Sequence, residues 1–249
     1  MRVVLRHLAI LALAAGVSIP ALATTGAKLT SVGSASISPD GAAIQLTSGS
    51  GSQAGAAWLT DGISTNSNFT ATFSFNLQGA GTQADGISFA LQAGGNNVVG
   101  MGGGYVGYNG LNAVGSVIQT YTNNRLGLNT DGNAYNTKSA GYSLGSYGLV
   151  KGTQTVSYNA TTHAFTMTGT LDLGGHTYNV SDSTFVDLAS KFGSTMYVGF
   201  TGATGANSAT QSISNFDIAI TPVPEPETAA LWLVGLAGLA GLQIGRAHV

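Results

Sequence analysis

The 249-residue chain has no cysteine. Disulfides, thiolate nucleophiles, zinc–thiolate sites and iron–sulfur clusters are excluded together. Charge is also scarce: Asp, Glu, Lys and Arg make up 7% of the residues, against about 25% in an ordinary soluble domain. With a net charge of −2 and no clustered Lys and Arg to neutralise phosphates, nucleic acid is excluded as a partner. Between residues 24 and 221 there is one proline, Pro39, and no glutamate. What is present is 43% hydrophobic, with 37 glycines and a polar remainder of Ser, Thr and Asn. This is the composition of a folded, β-rich extracytoplasmic protein and not of a disordered one.

Both ends carry targeting patterns. Arg2 and Arg6 precede an apolar run from Leu8 to Val17, and Ala21-Leu22-Ala23 is an A-x-A cleavage site. Residues 1–23 therefore read as a secretory signal peptide. At the other end, Val223-Pro224-Glu225-Pro226-Glu227 is a stiff spacer, because proline fixes φ and removes donors. Ala229 to Leu242 follows without a charge, short for a membrane span of about 20 residues. The tail, residues 222–249, resembles a PEP-CTERM sorting signal: a Pro-Glu-Pro box, an apolar helix and a basic end. That resemblance implies an exosortase-type partner, a membrane contact through the apolar segment, and a Gram-negative cell surface or secreted location. Only Arg246 stands for the usual basic cluster. Ile244 to Val249 spell one frame of a common sequencing adapter, so these six residues are expected not to be the natural end.

Residues 24–221 are the expected folded domain, with eight aspartates against four lysines and one arginine. Phe69, Ala71, Phe73, Phe75 and Leu77 alternate with Thr70, Thr72, Ser74 and Asn76, the pattern of a half-buried strand. Ile87, Phe89 and Leu91 repeat it. Val156 and Tyr158, a polar turn from Asn159 to His163, then Phe165 and Met167 predict a hairpin. Met196, Val198 and Phe200 predict another strand, and Phe216, Ile218 and Ile220 the last. Only Asp187 to Phe192 suggests a helical turn. Many strands, Gly-rich turns and no long helical period predict an all-β antiparallel sandwich.

Four segments, in order, resemble the L-type (legume-type) lectin family. They are Ile44 to Thr47 with Gly55 to Leu59; Ala84-Asp85-Gly86-Ile87-Ser88-Phe89; Gly102 to Tyr108 followed by Gln119 to Asn123; and Tyr197 to Gly205 followed by Ser214 to Ile218. The third and fourth are bridged by Thr155 to Asn159, similar to that family's back-sheet strand. The resemblance implies a jelly-roll β-sandwich of concanavalin A-like form and a carbohydrate site on loops at one edge. A sugar hydroxyl both donates and accepts, and its C–H face is apolar, so a site needs an acceptor, donors and an aromatic surface. By the resemblance, Asp85 accepts from two hydroxyls, across an Ala84–Asp85 peptide expected to be cis. Gly104 presents its backbone N–H, Asn123 donates from its amide, and Tyr121 stacks on the sugar. Ala206 lies in the loop that tunes specificity. The plainer readings are an Asp85-Gly86 turn, a flexible glycine run and a core Tyr121. Alternation would put Tyr121 and Asn123 on one side of the chain.

The family also binds a transition metal and Ca²⁺ through acids that here are Val117 and Gln119. The loop with the next aspartate and the histidine is missing, leaving Asn124 to Gly127, and Asp131 is too displaced to replace them. Hard cations take several oxygen ligands, so the sequence predicts loss of the transition-metal site and loss or severe weakening of the Ca²⁺ site. Gln119 is expected to substitute an amide hydrogen bond for the metal. Catalysis is not expected. Glu225 and Glu227 sit in the spacer, no aspartates pair on a strand, and Asp182 and Asp187 are assigned to a loop. His163 and His176 are assigned near turns without a triad. The expected function is a secreted, surface-sorted carbohydrate-binding protein for exopolysaccharide or envelope glycans. The alternative is a surface or matrix structural protein with the same fold and no sugar affinity.

Overall fold

A computed structural model describes residues 22–23, 28–121 and 123–223. Most of the predicted leader, and the apolar tail beyond residue 223, lie outside them. Among the described residues no helix is long and apolar enough to cross a membrane.

The chain forms β1 (Leu22–Ala23), β2 (Leu29–Gly33), β3 (Ser36–Ile37), β4 (Ala43–Ser48), β5 (Ala54–Leu59), β6 (Ile63–Ser64), β7 (Ser67–Gln78) and β8 (Gly86–Gln92). It continues through β9 (Val114–Gln119), β10 (Arg125–Asn129), β11 (Leu149–Asn159), β12 (Ala164–Leu173), β13 (His176–Phe185), α1 (Leu188–Phe192), β14 (Thr195–Ala203) and β15 (Thr210–Pro222). Two antiparallel sheets result. The back sheet runs β13-β12-β11-β7-β15-β4-β3, and the front sheet runs β10-β9-β8-β14-β5-β2. Leu22 and Ala23, assigned by sequence to the leader, pair with Ile220 and Ala219 of β15.

The alternating residues of β7 do what their pattern predicts: Phe69, Ala71, Phe73, Phe75 and Leu77 are buried, and Thr70, Thr72 and Asn76 are exposed. They meet the inward faces of β8 and β14. Phe200 packs edge-on to Phe73 at 4.9 Å and to Phe216 at 4.9 Å, and Phe73 stacks on Phe89 at 5.7 Å. The predicted β11–β12 hairpin forms, with Val156 opposite Met167 and Tyr158 opposite Phe165. The one α-helical turn among the described residues, α1, lies where the sequence places it. Asp187 caps it by accepting from the Ser190 N–H at 2.9 Å.

Two local readings are corrected. Asp182 lies on β13 and not in a loop. It faces inward, where it pairs with Lys138 at 2.7 Å and accepts from the Leu128 N–H at 2.8 Å. His176 opens the same strand. The second correction concerns β8, which is buried at all seven positions and is not half-exposed. Residues 93–113 fold over the outer face of the front sheet. There Trp58, Ala90, Val106, Tyr108 and Val117 form a second apolar cluster. Trp58 Nε1 donates to the Val98 carbonyl at 2.8 Å, and Thr201 Oγ1 donates to the Val106 carbonyl at 2.8 Å. That covering segment brings the glycine run to the rim of the front sheet.

Phe200 touches both layers, so its truncation is the sharpest test of the core. Phe200→Ala should lower the unfolding free energy by ~3–5 kcal/mol, read as a fall in the urea midpoint without a change in slope.

Candidate carbohydrate site

Three neighbouring strands of the front sheet end level at one rim. Gly86, the first residue of β8, is opposite Gln119, the last of β9, and also opposite Ala203, the last of β14. Residues 84–86, 119–120 and 203–205 are therefore adjacent, although they are far apart in sequence. The register is locked by the Asp85 backbone, whose N–H donates to Ala203 O at 2.9 Å and whose carbonyl accepts from Thr120 N–H at 2.8 Å. The Ala84–Asp85 peptide is cis, as expected. Over this rim lies a 3₁₀ turn, Gly103–Tyr105.

Asp85 is the centre of the arrangement. It is 4% exposed, and burial pushes its carboxyl up to about 6 despite a hydrogen bond from the Gly205 N–H. Its Oδ2 is buried with no donor. Glycines stand against it on two sides: an added methyl would lie 3.0 Å from Oδ2 at Gly205 and 3.9 Å at Gly103. Gly104 has a separate reason for lacking a side chain, since a Cβ there would collide with the Tyr135 hydroxyl. Its carbonyl accepts from Gln119 Nε2.

Asp85, Gly104 and the 203–207 segment are thus brought together, with Ala206 exposed at the tip of its bend. Tyr121 and Asn123 follow directly from Thr120 and are both half-buried. β9 stops at Gln119, before both residues, and the Asn123 N–H donates to the Tyr121 carbonyl. The aromatic groups at the glycine run are Tyr105, 41% exposed, and Tyr135, whose rings meet edge-on at 5.2 Å.

Gln119 makes an amide hydrogen bond at the rim, to the Gly104 carbonyl and not to the cis peptide; the Ala84 carbonyl accepts from Gln211 Nε2 at 3.3 Å. Gln211 also donates to the Ala203 carbonyl at 2.9 Å. Sequence reasoning missed Gln211, Tyr105 and Tyr135. For Gln211 a signal existed: it shares the inward face of β15 with Ile213, and an amide on an apolar face needs partners.

A hard cation does not fit these residues. Val117 is fully buried among Trp58, Ala90 and Tyr108 and offers no donor atom. Gln119 brings one neutral oxygen. Asp131 is engaged by the Asn129 and Asn136 amides at 2.8 and 2.6 Å and by the Asn133 N–H at 2.9 Å. Among the described residues no three acidic or histidine side chains gather as a metal-binding group.

The legume lectin domain profile matches residues 18–232. The chain belongs to the legume lectin domain family. Solved legume lectins share its fold at low identity. The lectin from Bauhinia forficata in complex with GalNAc is 20% identical, with a TM-score of 0.66, over 82% of this chain and all of that one. Arcelin-5, a lectin-like defence protein from Phaseolus vulgaris, is 19% identical, with a TM-score of 0.67, over 82% of this chain and 99% of its own. Lectin I-B4 from Griffonia simplicifolia, in a metal-free form, is 20% identical, with a TM-score of 0.63, over 78% and 93%. No curated protein sequence matches the chain. At these identities the likeness establishes the jelly-roll sandwich of a legume lectin domain and no more.

The buried carboxyl has a consequence for stability. Its folded pKa is raised, so between about pH 4 and 6 the folded chain binds a proton that the unfolded chain does not, and stability is lost as pH rises through about 6. Asp85→Asn removes that loss. Its Tm should exceed that of the wild type at pH 7.5 and converge with it at pH 4, measured by thermal unfolding at both values.

Proposed function

We propose that the protein is a secreted, surface-sorted lectin that binds exopolysaccharide or envelope glycans, and that it is not an enzyme. The observation that supports this most is the meeting, at one rim, of a buried carboxylate whose Oδ2 has no partner, glycine backbone and the residues that follow β9. Three oxygens near the rim are buried without a partner: the acceptors Asp85 Oδ2 and Gln119 Oε1, and the Thr120 hydroxyl, which can donate or accept. An unpaired buried acceptor costs about 1–3 kcal/mol, so a ligand bearing hydroxyl donors is the chemistry that relieves it. An ionised acceptor forms bonds roughly twice as strong as a neutral one. Tyr105 or Tyr121 would supply the apolar contact for the sugar's C–H face.

Related folds have been solved with GalNAc and with galactose, and these sugars are the first to test here. Each site would bind weakly, and adhesion would come from several sites acting together. The leader and the Pro-Glu-Pro tail support delivery to the envelope by an exosortase-type enzyme, with the apolar segment as a membrane contact.

A second reading is favoured by one observation. Asp85 is buried with Gly205 and Gly103 against Oδ2, so a sugar must displace one of those segments to reach it. A structural surface protein with this fold and no sugar affinity would keep the carboxyl covered.

A panel of immobilised glycans that includes galactose and GalNAc separates the two. Wild type should be retained on at least one resin, and Asp85→Ala and Asn123→Ala should abolish that retention; failure of wild type to bind any glycan would leave the structural reading. Retention should also fall by about tenfold from pH 7.5 to pH 5, because an acid with pKa about 6 is then roughly one-tenth ionised.

A further inference from the structure

We propose that two glutamine carboxamides, Gln211 and Gln119, are positioning residues that organise the sugar-binding rim without a bound cation. The inference rests on the lectin reading for its purpose, though not for its geometry.

Gln211 belongs to the back sheet, but its amide reaches the front-sheet rim. Its two N–H groups have separate acceptors, Ala84 O at 3.3 Å and Ala203 O at 2.9 Å, so its donor capacity is used in full. One side chain thus ties the residue before Asp85 to the end of β14 and fastens both to the opposite layer. Gln211 is fully buried, where a free amide would be costly and a bonded one rigid. Gly202 makes room for it: a Cβ at that position would overlap the Gln211 side-chain oxygen.

Gln119 does the corresponding work on the other side. Also fully buried, it donates Nε2 to the Gly104 carbonyl and so holds the glycine turn beside Asp85. The 204–205 segment is then anchored to residues 50–53. Thr204 Oγ1 donates to Ser50 O at 2.7 Å, Thr204 N–H to Gln53 O at 2.9 Å, and Ser52 N–H to Gly205 O at 2.9 Å. All three rim segments are therefore held by neutral hydrogen bonds. The acid positions that the lectin resemblance assigns to cations carry Val117 and Gln119. Valine brings no ligand atom and glutamine one neutral oxygen, so neither position carries the carboxylate that a hard cation favours.

The test is hydrogen exchange on the full chain, in excess EDTA and in excess CaCl2, for wild type and Gln211→Met. In wild type, the amides of residues 83–86, 102–105 and 203–207 should exchange at the same rate in both solutions. In Gln211→Met they should exchange about tenfold faster or more, as expected for two lost buried hydrogen bonds, while those of β7 and β11 stay unchanged. Gln119→Met should loosen residues 102–105 selectively. If EDTA loosens the wild-type rim, or CaCl2 tightens it, the proposal is overturned, and this comparison needs no variant to fold. Unchanged rim exchange in Gln211→Met also overturns it. Retention of wild type on the glycan panel in EDTA separates this proposal from the function. A rim that behaves as stated in a protein that binds no glycan leaves the glutamine clamp standing and removes the lectin reading. Binding that requires Ca²⁺ does the reverse.

Discussion

One carboxylate buried without a counter-charge governs this molecule. Asp85, just before β8, has its backbone fixed by hydrogen bonds to Ala203 and Thr120, and its side chain is buried. Charging it in that position works against folding, and only the Gly205 N–H offsets the loss of solvent. The sandwich tolerates this because its stability lies elsewhere, in the layer of aromatic rings between β7, β8 and β14. A site that costs stability on a scaffold that can carry the cost is the usual relation between function and fold.

The rest of the rim follows from that constraint. A covered carboxylate needs neighbours without side chains, and Gly103 and Gly205 stand against it. The loops that bring those glycines need fixed anchors. Where a cation would supply charge and geometry together, Gln211 and Gln119 supply geometry alone. Asp85 has no counter-charge there, and its burial raises the carboxyl to about 6.

Much of the fold was legible in the sequence because large apolar residues marked one face of each strand. β7, the β11–β12 hairpin, β14 and β15 are of this kind. β13 was not legible: its inward positions are Tyr178, Val180, Asp182 and Thr184, and a polar inward face hides a period of two. The double burial of β8 was also hidden, since it depends on residues 93–113 folding back over the sheet. Within the candidate site, Asp85, Gly104 and Ala206 were singled out through family resemblance, and the register of three strand ends brings their segments together. Tyr121 and Asn123 were singled out in the same way, and they lie beyond the end of β9, where a strand's alternation no longer applies. Gln211 belongs to no motif. Its role arises from the packing of two sheets, which spacing along one strand does not encode.

The most direct test of the account is a crystal structure of the protein grown in EDTA and soaked with N-acetylgalactosamine or galactose. The account predicts a sugar whose hydroxyls lie within hydrogen-bonding distance of the Asp85 carboxylate and the Gly104 backbone, with no ion beside Gln119 and with Gln211 still bonded to Ala84 and Ala203. A sugar bound elsewhere on the sandwich, or a rim that collapses once cations are removed, would contradict it.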